Sequence, residues 1–397
     1  MDIIFHIDVN NAFLSWSAIY LLKNGYHEDI RSIPSVIAGD ESKRHGIVLA
    51  KSNIAKEYGI KTAETLYLAR KKCPNLQVFP PNHKFYKEMS DKLYNYFLTI
   101  TPDVERYSID ECFLDLSNTS YLYEDILELA YKIKEEIKNT YGFTVNIGIG
   151  NNKLCAKMAG DFSKPDKVHT LFKDEIKTKM WPLPIENLLY IGKSSTVILK
   201  KLNINTIGDL ANYDSIKLKK YFKNRTTFMI ESANGIDNSK VISKRLKNKS
   251  ISISETLEFD TNDLNFIKKK LMIMCENIGL QLRNKKLYAK TIAITLKTSS
   301  FESISHQKKI INQTNNTMEL YDNLLDLLED TIKDNLIRNI GIRVCDLVNY
   351  KSNQISFFDD EKNEDKVQEV LDNINLKYND LKIMPAVFYK SLDDTNK

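Results

Sequence analysis

Tyr107-Ser108-Ile109-Asp110-Glu111-Cys112-Phe113-Leu114-Asp115-Leu116 is the stretch that decides the fold, and it reads as a β-hairpin carrying acids. Behind it Leu122, Ile126, Leu129, Ala130, Ile133 and Ile137 recur at three- and four-residue spacing, the period of an amphipathic helix. Thr144 to Ile149 then reads as a strand. At the other end of the chain Ile3 to Val9 is a short apolar, β-branched run, best read as a buried strand, and Ala12 to Leu22 follows as a helix. The sum is β-α-β-β-α-β, a ferredoxin-like sheet with an insertion between its first helix and second strand. That sheet is the expected catalytic core.

The insertion, residues 24–80, offers strands at Ser35 to Ala38 and Ile47 to Ala50. It also offers a helix over Thr65 to Lys72 that stops before Cys73-Pro74. Residues 171–235 read as helical, with Ile204 to Leu210 a loop entering a helix, and residues 236–249 as a polar, basic linker. Residues 250–350 alternate strands (Ile251 to Ser254, Lys290 to Leu296, Arg338 to Leu347) with helices (Leu264 to Leu282, Asn316 to Lys333). Residues 351–397 are a polar tail with a helical stretch from Lys366 to Leu376. The fold class is therefore multidomain α+β, as a length of 397 residues requires.

With 42% hydrophobic and 27% charged residues the chain is an ordinary globular one, and no apolar run approaches a bilayer span. Acids at Asp2 and Asp8 break any secretory leader, so a cytoplasmic protein without membrane contact is expected. Cys73, Cys112, Cys155, Cys275 and Cys345 are scattered and never form C-x-x-C, which argues for reduced thiols and against a zinc site. The net charge of +5 is a mild bias toward polyanions. Its distribution says more, because basic residues crowd between Lys240 and Lys297 while the tail is acidic.

Asp8 at a strand end and Asp110 with Glu111 in the hairpin are the carboxylates that bear on chemistry. Phosphoryl transfer by paired divalent ions needs bridging oxygen ligands and little else from the protein. Neighbours on a regular strand point to opposite faces, so Asp110 and Glu111 share a site only if the hairpin bends there.

Three blocks occur in order: His6-Ile7-Asp8-Val9-Asn10-Asn11-Ala12-Phe13, the hairpin, and Gly148-Ile149-Gly150-Asn151-Asn152-Lys153-Leu154-Cys155-Ala156-Lys157-Met158-Ala159 with Ser163-Lys164-Pro165. Together they closely resemble the Y-family translesion DNA polymerases, most of all the bacterial DNA polymerase IV (DinB) and UmuC-like members. The resemblance implies a right-hand polymerase: a ferredoxin-like palm (1–23 and 81–170), small fingers (24–80), a helical thumb (171–235), a linker (236–249), an α+β little-finger domain (250–350) that binds DNA, and a tail (351–397). It implies two Mg²⁺ ions, with Mn²⁺ as substitute, held by Asp8, Asp110, Glu111 and the carbonyl of Val9, and attack of a primer 3′-hydroxyl on the α-phosphate of a deoxynucleoside triphosphate. Asp115 would be structural. Ala12, Phe13, Asn53, Lys56 and Lys164 fall at nucleotide-binding positions, with Phe13 the steric gate that excludes a 2′-hydroxyl.

Two of these depart from the family pattern. Asn53 and Lys56 stand where many relatives carry Tyr and Arg, losing a ring and a bidentate fork, and weaker nucleotide binding is expected. In the thumb, Ile191, Gly192 and Lys193 align with a phosphate-binding helix-hairpin-helix whose other usual glycine is Tyr190 here. Gln354-Ile355-Ser356-Phe357-Phe358 is similar to a bacterial sliding-clamp peptide. The expected partners are thus primer-template DNA, deoxynucleoside triphosphates and the sliding clamp (beta), and the expected state is a monomer. No second carboxylate cluster suggests a proofreading exonuclease. The alternative is a clamp-tethered DNA-binding or lesion-recruitment protein with weak or accessory-dependent polymerase activity, and the intact Asp8, Asp110 and Glu111 argue against it. A nucleotidyl cyclase on the same sheet leaves the thumb, the basic C-terminal domain and the clamp peptide unexplained.

Overall fold

A computed structural model describes residues 2–349, apart from 43, 45, 244–248 and 333–334, together with residues 370–374 and 377. Among these residues no helix is long and apolar enough to cross a membrane. All five cysteine thiols are free, four of them buried. The chain divides into two compact units, residues 1–39 with 46–245 and residues 40–45 with 246–397.

The first unit opens with β1 (Ile4–Val9), buried along its whole length, and α1 (Ala12–Lys23). The insertion follows: β2 (Ser35–Ala38), β3 (Val48–Lys51), α2 (Asn53–Glu57), α3 (Leu66–Lys72) and β4 (Gln77–Phe79). Its strands pair in the order β3-β2-β4 around a small cluster of their own that includes Val36, Val48, Leu66 and Ala69. Thr65 starts α3 by accepting the Leu68 N–H.

Next come α4 (His83–Phe97), β5 (Val104–Arg106), β6 (Glu111–Asp115), α5 (Ile126–Tyr141), β7 (Val145–Gly150), α6 (Lys153–Gly160) and β8 (Val168–Leu171). The sheet runs β5-β6-β1-β7-β8, antiparallel except for the parallel β7–β8 pair. Without β8 this is the strand order of the β-α-β-β-α-β reading. Its main core joins Phe5, Ile7 and Val9 of β1 to Trp16, Tyr86, Ile133 and Ile137 of the covering helices.

Two local readings need correction. The hairpin expected over Tyr107 to Leu116 starts earlier: its strands are β5 and β6, and Tyr107 to Asp110 is the turn between them. Leu122 lies outside α5, exposed in a 3₁₀ turn over Ser120–Leu122, because Asp125 caps the helix by accepting the Leu127 and Glu128 N–H groups.

The rest of this unit is helical: α7 (Lys193–Lys201), α8 (Ile207–Ala211), α9 (Ser215–Phe222) and α10 (Thr226–Ala233). A reciprocal Thr206–Asp209 capping box sets the start of α8. The second unit contains β9 (Ser250–Thr261), α11 (Leu264–Asn284), β10 (Ala289–Thr298), β11 (Ser303–Thr314), α12 (Thr317–Ile332) and β12 (Ile337–Cys345). The sheet order β11-β10-β12-β9 is antiparallel, with both helices packed on one apolar core. The mixed α+β class expected from the sequence holds in both units.

One close approach fixes α6 against the five-stranded sheet. A Cβ built on Gly148 falls 2.0 Å from the Ala156 carbonyl oxygen and 2.3 Å from the Gly160 nitrogen, both backbone atoms that cannot yield. Gly148→Ala is therefore expected to destabilise the protein by about 3 kcal/mol. Thermal denaturation checks this, and a midpoint unchanged from the native chain would contradict the packing described.

Candidate active site

The site begins with a serine. Ser108 Oγ accepts the N–H groups of Asp110 (3.2 Å) and Glu111 (3.0 Å) and donates to Asp110 Oδ1 (2.5 Å), while the Tyr107 and Ser108 N–H groups both reach the Glu111 carbonyl. This local bonding holds a tight turn in front of β6, an alternative to continued ladder pairing that serine favours. Asp110 consequently sits in the turn and Glu111 opens the strand, which removes the opposite-face objection to their sharing a site. The turn is tied to β1 by the Val9 N–H, which donates to the Asp110 carbonyl at 3.1 Å. Within the ladder Asp8 lies directly opposite Glu111. Asp115, at the far end of β6, accepts the Ser117 N–H instead.

Asp8 and Glu111 have each drawn a lysine. Glu111 accepts from Lys157 Nζ at 2.7 Å and lies 3.3 Å from His6 Nε2. Burial acts to raise its carboxyl, and the hydrogen bonds from His6 and Lys157 outweigh it, holding the group down to about 2. Asp8 pairs with Lys164, whose ammonium also meets Asp161 at 2.8 Å. Asp8 is only 8% exposed. Burial pushes its carboxyl above the ordinary value despite Lys164, and the Glu111 charge adds to the rise. The site therefore retains a demand for positive charge.

An all-oxygen donor set on paired strand ends with that demand fits hard divalent cations. Among the described residues no three His, Cys, Asp or Glu side chains already converge as a metal cage. Lysine ammonium groups stand against Asp8 and Glu111.

Beside the acids opens a cavity of about 310 Å³, lined among others by Asp8, Asn53, Lys56, Lys164 and Arg31. It brings the expected Asn53 and Lys56 of α2 to the same place as Lys164. Ser52 caps α2 by accepting the Ala55 N–H and so sets the direction in which these two side chains leave the backbone. Ala12 is buried at the first turn of α1. Phe13, next to it, is half-buried and stacks on Tyr86 with centroids 4.7 Å apart and planes at 11°. Tyr86 is itself held by a 2.6 Å hydrogen bond to Ser17.

In the helical region Ile191 is buried, and Gly192 is the N-cap of α7 with no side-chain cap, which leaves first-turn amides open beside Lys193. Tyr190 adopts φ 71°, a left-handed conformation that suits glycine, and its ring packs against Phe228 with centroids 5.5 Å apart. Gln354, Ile355, Ser356, Phe357 and Phe358 lie outside the described residues.

Lys157 and His6 were not singled out from the sequence, although both stand in the quoted blocks. The signal lay in the spacing of Lys153 and Lys157 on one helix face, which meets Glu105 at 2.7 Å and Glu111 respectively. Lys157→Met is expected to raise the Glu111 carboxyl and cost about 2 kcal/mol at neutral pH. Because the folded group lies below its ordinary 4.5, this contribution is complete above about pH 4.5 and fades as pH falls toward 2. Carboxyl NMR titration and unfolding at both pH extremes check it, and an unmoved Glu111 resonance would contradict the assignment.

Comparison with known proteins follows the same lines. Residues 7–161 match the model described as impB/mucB/samB family, and residues 248–357 match the model of that family's C-terminal domain. A protein named DNA polymerase IV from Clostridium acetobutylicum is 48% identical over 393 residues, covering 97% of this chain and 98% of that protein. One of the same name from Alkaliphilus oremlandii is 35% identical, over 97% of this chain and 98% of its own length. Among solved structures, the Y-family DNA polymerase chimera Dbh-Dpo4(243-245)-Dbh matches with a TM-score of 0.75 and 22% identity, covering 87% of this chain and 99% of that one, a likeness of fold. Matched by both family models and by relatives along nearly its whole length, the chain belongs to the impB/mucB/samB family, in the DNA polymerase IV branch of the Y-family polymerases.

Proposed function

We propose that this DNA-directed DNA polymerase carries out low-fidelity translesion synthesis by metal-assisted nucleotidyl transfer at Asp8, Asp110 and Glu111, without proofreading. One observation carries the reading: Asp8 faces Glu111 across the ladder, with Asp110 in the adjoining turn, and Asp8 lines a cavity together with Lys56 and Lys164.

Asp8 and Asp110 would hold both Mg²⁺ ions, Glu111 one of them, and the Val9 carbonyl would complete the set, with Mn²⁺ a workable substitute. When bound, these ions lower the pKa of the primer hydroxyl and neutralise charge growing on the phosphate. The primer 3′-oxygen bonds to the α-phosphorus, the bond to the β-phosphate oxygen breaks, pyrophosphate leaves, and the hydroxyl proton passes to water. Lys164 and Lys56 attract the triphosphate. Asn53 in place of a ring and Lys56 in place of a fork make that hold weaker than in many relatives. Phe13, rigidly backed by Tyr86, blocks the space of a ribose 2′-hydroxyl.

The β1-centred sheet serves as the palm, residues 24–80 as fingers and 171–235 as thumb. Residues 236–249 serve as the linker, and residues 250–350 lie along duplex DNA. The open amides at Gly192 and Lys193 touch a backbone phosphate without reading sequence. Gln354 to Phe358 tethers the monomeric, cytoplasmic enzyme to the sliding clamp, raising its effective concentration at primer ends.

Primer extension on undamaged and abasic templates tests this. The native chain extends distributively with Mg²⁺ and stops on chelation. Asp110→Ala and Glu111→Ala bind duplex yet do not extend, and no deoxynucleotide is released from the primer end. An inactive native chain at saturating nucleotide, with the clamp supplied, would favour the DNA-binding or recruitment role instead. In the same assay Phe13→Ala is expected to raise ribonucleotide incorporation on the order of 100-fold relative to deoxynucleotide, and unchanged discrimination would remove Phe13 from the gate.

A further inference from the structure

Arg31 lines the cavity that also holds Lys56 and Lys164. It lies in a single 3₁₀ turn, Ile30–Ser32, started by Asp29. Its guanidinium is fixed on two sides: Nε (2.9 Å) and Nη2 (2.7 Å) bond the Asp29 carboxylate, and Nη1 donates to the Gly142 carbonyl at 2.8 Å. A guanidinium carries five N–H groups. Three are engaged here, so two remain without a partner among the described residues, on a group already held in place.

We propose that Arg31 is a further nucleotide-binding residue, which offers its two remaining N–H groups to the triphosphate. This rests on the reading of the cavity as the nucleotide site. The departure at Lys56 makes the arrangement intelligible. Lysine presents a point charge, whereas phosphate oxygens are best gripped by a planar fork. The cavity regains such a fork from Arg31, anchored on the other side by Asp29. Asp29 is held below its ordinary value by the hydrogen bond from Arg31, so the anchor stays ionised. Lys164 is shared with Asp8 and Asp161, which leaves Arg31 and Lys56 to meet charge beyond the α-phosphate.

The competing role is a purely structural clasp joining Asp29 to Gly142, and ligand length separates the two. The full chain with primer-template and Mg²⁺ is titrated with a non-hydrolysable deoxynucleoside triphosphate and with the matching monophosphate. Arg31→Lys is expected to weaken the triphosphate about tenfold, through loss of the fork, and to leave the monophosphate unchanged. Asp29→Asn, which loosens the clasp but keeps the guanidinium, retains triphosphate affinity within about twofold of the native chain. Equal affinities of Arg31→Lys and the native chain for the triphosphate overturn the assignment, as does an equal loss for both ligands or a loss in Asp29→Asn that matches Arg31→Lys. A native chain that binds the triphosphate no better than the monophosphate overturns the reading of the cavity and this assignment with it.

Discussion

The backbone register of β1 against β6 is the constraint on which the rest of the site depends. Phe5, Ile7 and Val9 enter the main apolar core. The two-residue period of a strand then sends His6 and Asp8 to the other face. Directly opposed residues share a face, so Glu111 joins Asp8 and Phe113 joins His6, whose ring lies 4.8 Å from it. A slip by one residue would bury the acids among Trp16 and Ile133 and expose the apolar set, which is why such a register is strongly specified.

Desolvation follows from that placement and gives the site its chemistry. Carboxylates held at the end of a buried strand are costly unless countercharged. The fold supplies lysines from two neighbouring segments, Lys157 on the helix packed against Gly148 and Lys164 on the loop after it. Each lysine offsets part of the cost of burying the carboxylate that it meets. Phe13 is held separately: its ring stacks on Tyr86, whose hydroxyl is hydrogen-bonded to Ser17.

Much of this was legible in the sequence because strong periods mark it. The first strand and helix, Ser35–Ala38 and the helix ending before Pro74 lie where the pattern put them, within a residue. What was missed carries weak or conflicting patterns. α4 buries Tyr86, Met89, Leu93 and Phe97, but four lysine and acid side chains between them mask the stripe. β11 is an edge strand whose sequence, Ser303 to Thr314, alternates poorly and exposes Ile311, so period alone does not find it. The hairpin boundary moved because Ser108 bonds its own neighbours, a side-chain effect invisible to hydrophobic counting. Arg31 was equally out of reach, since its partners Asp29 and Gly142 are joined only in the folded chain.

The account turns on whether the Asp8–Asp110–Glu111 arrangement takes up divalent cations in place of its lysine partners. The most direct measurement is Mn²⁺ binding by electron paramagnetic resonance to the full chain with primer-template and a non-hydrolysable deoxynucleoside triphosphate. The account predicts tight binding that is saturable and competed by Mg²⁺ in the native protein, and is lost in Asp8→Asn and in Glu111→Gln while duplex affinity persists. Binding that is absent in the native protein, or unchanged by either substitution, would contradict it.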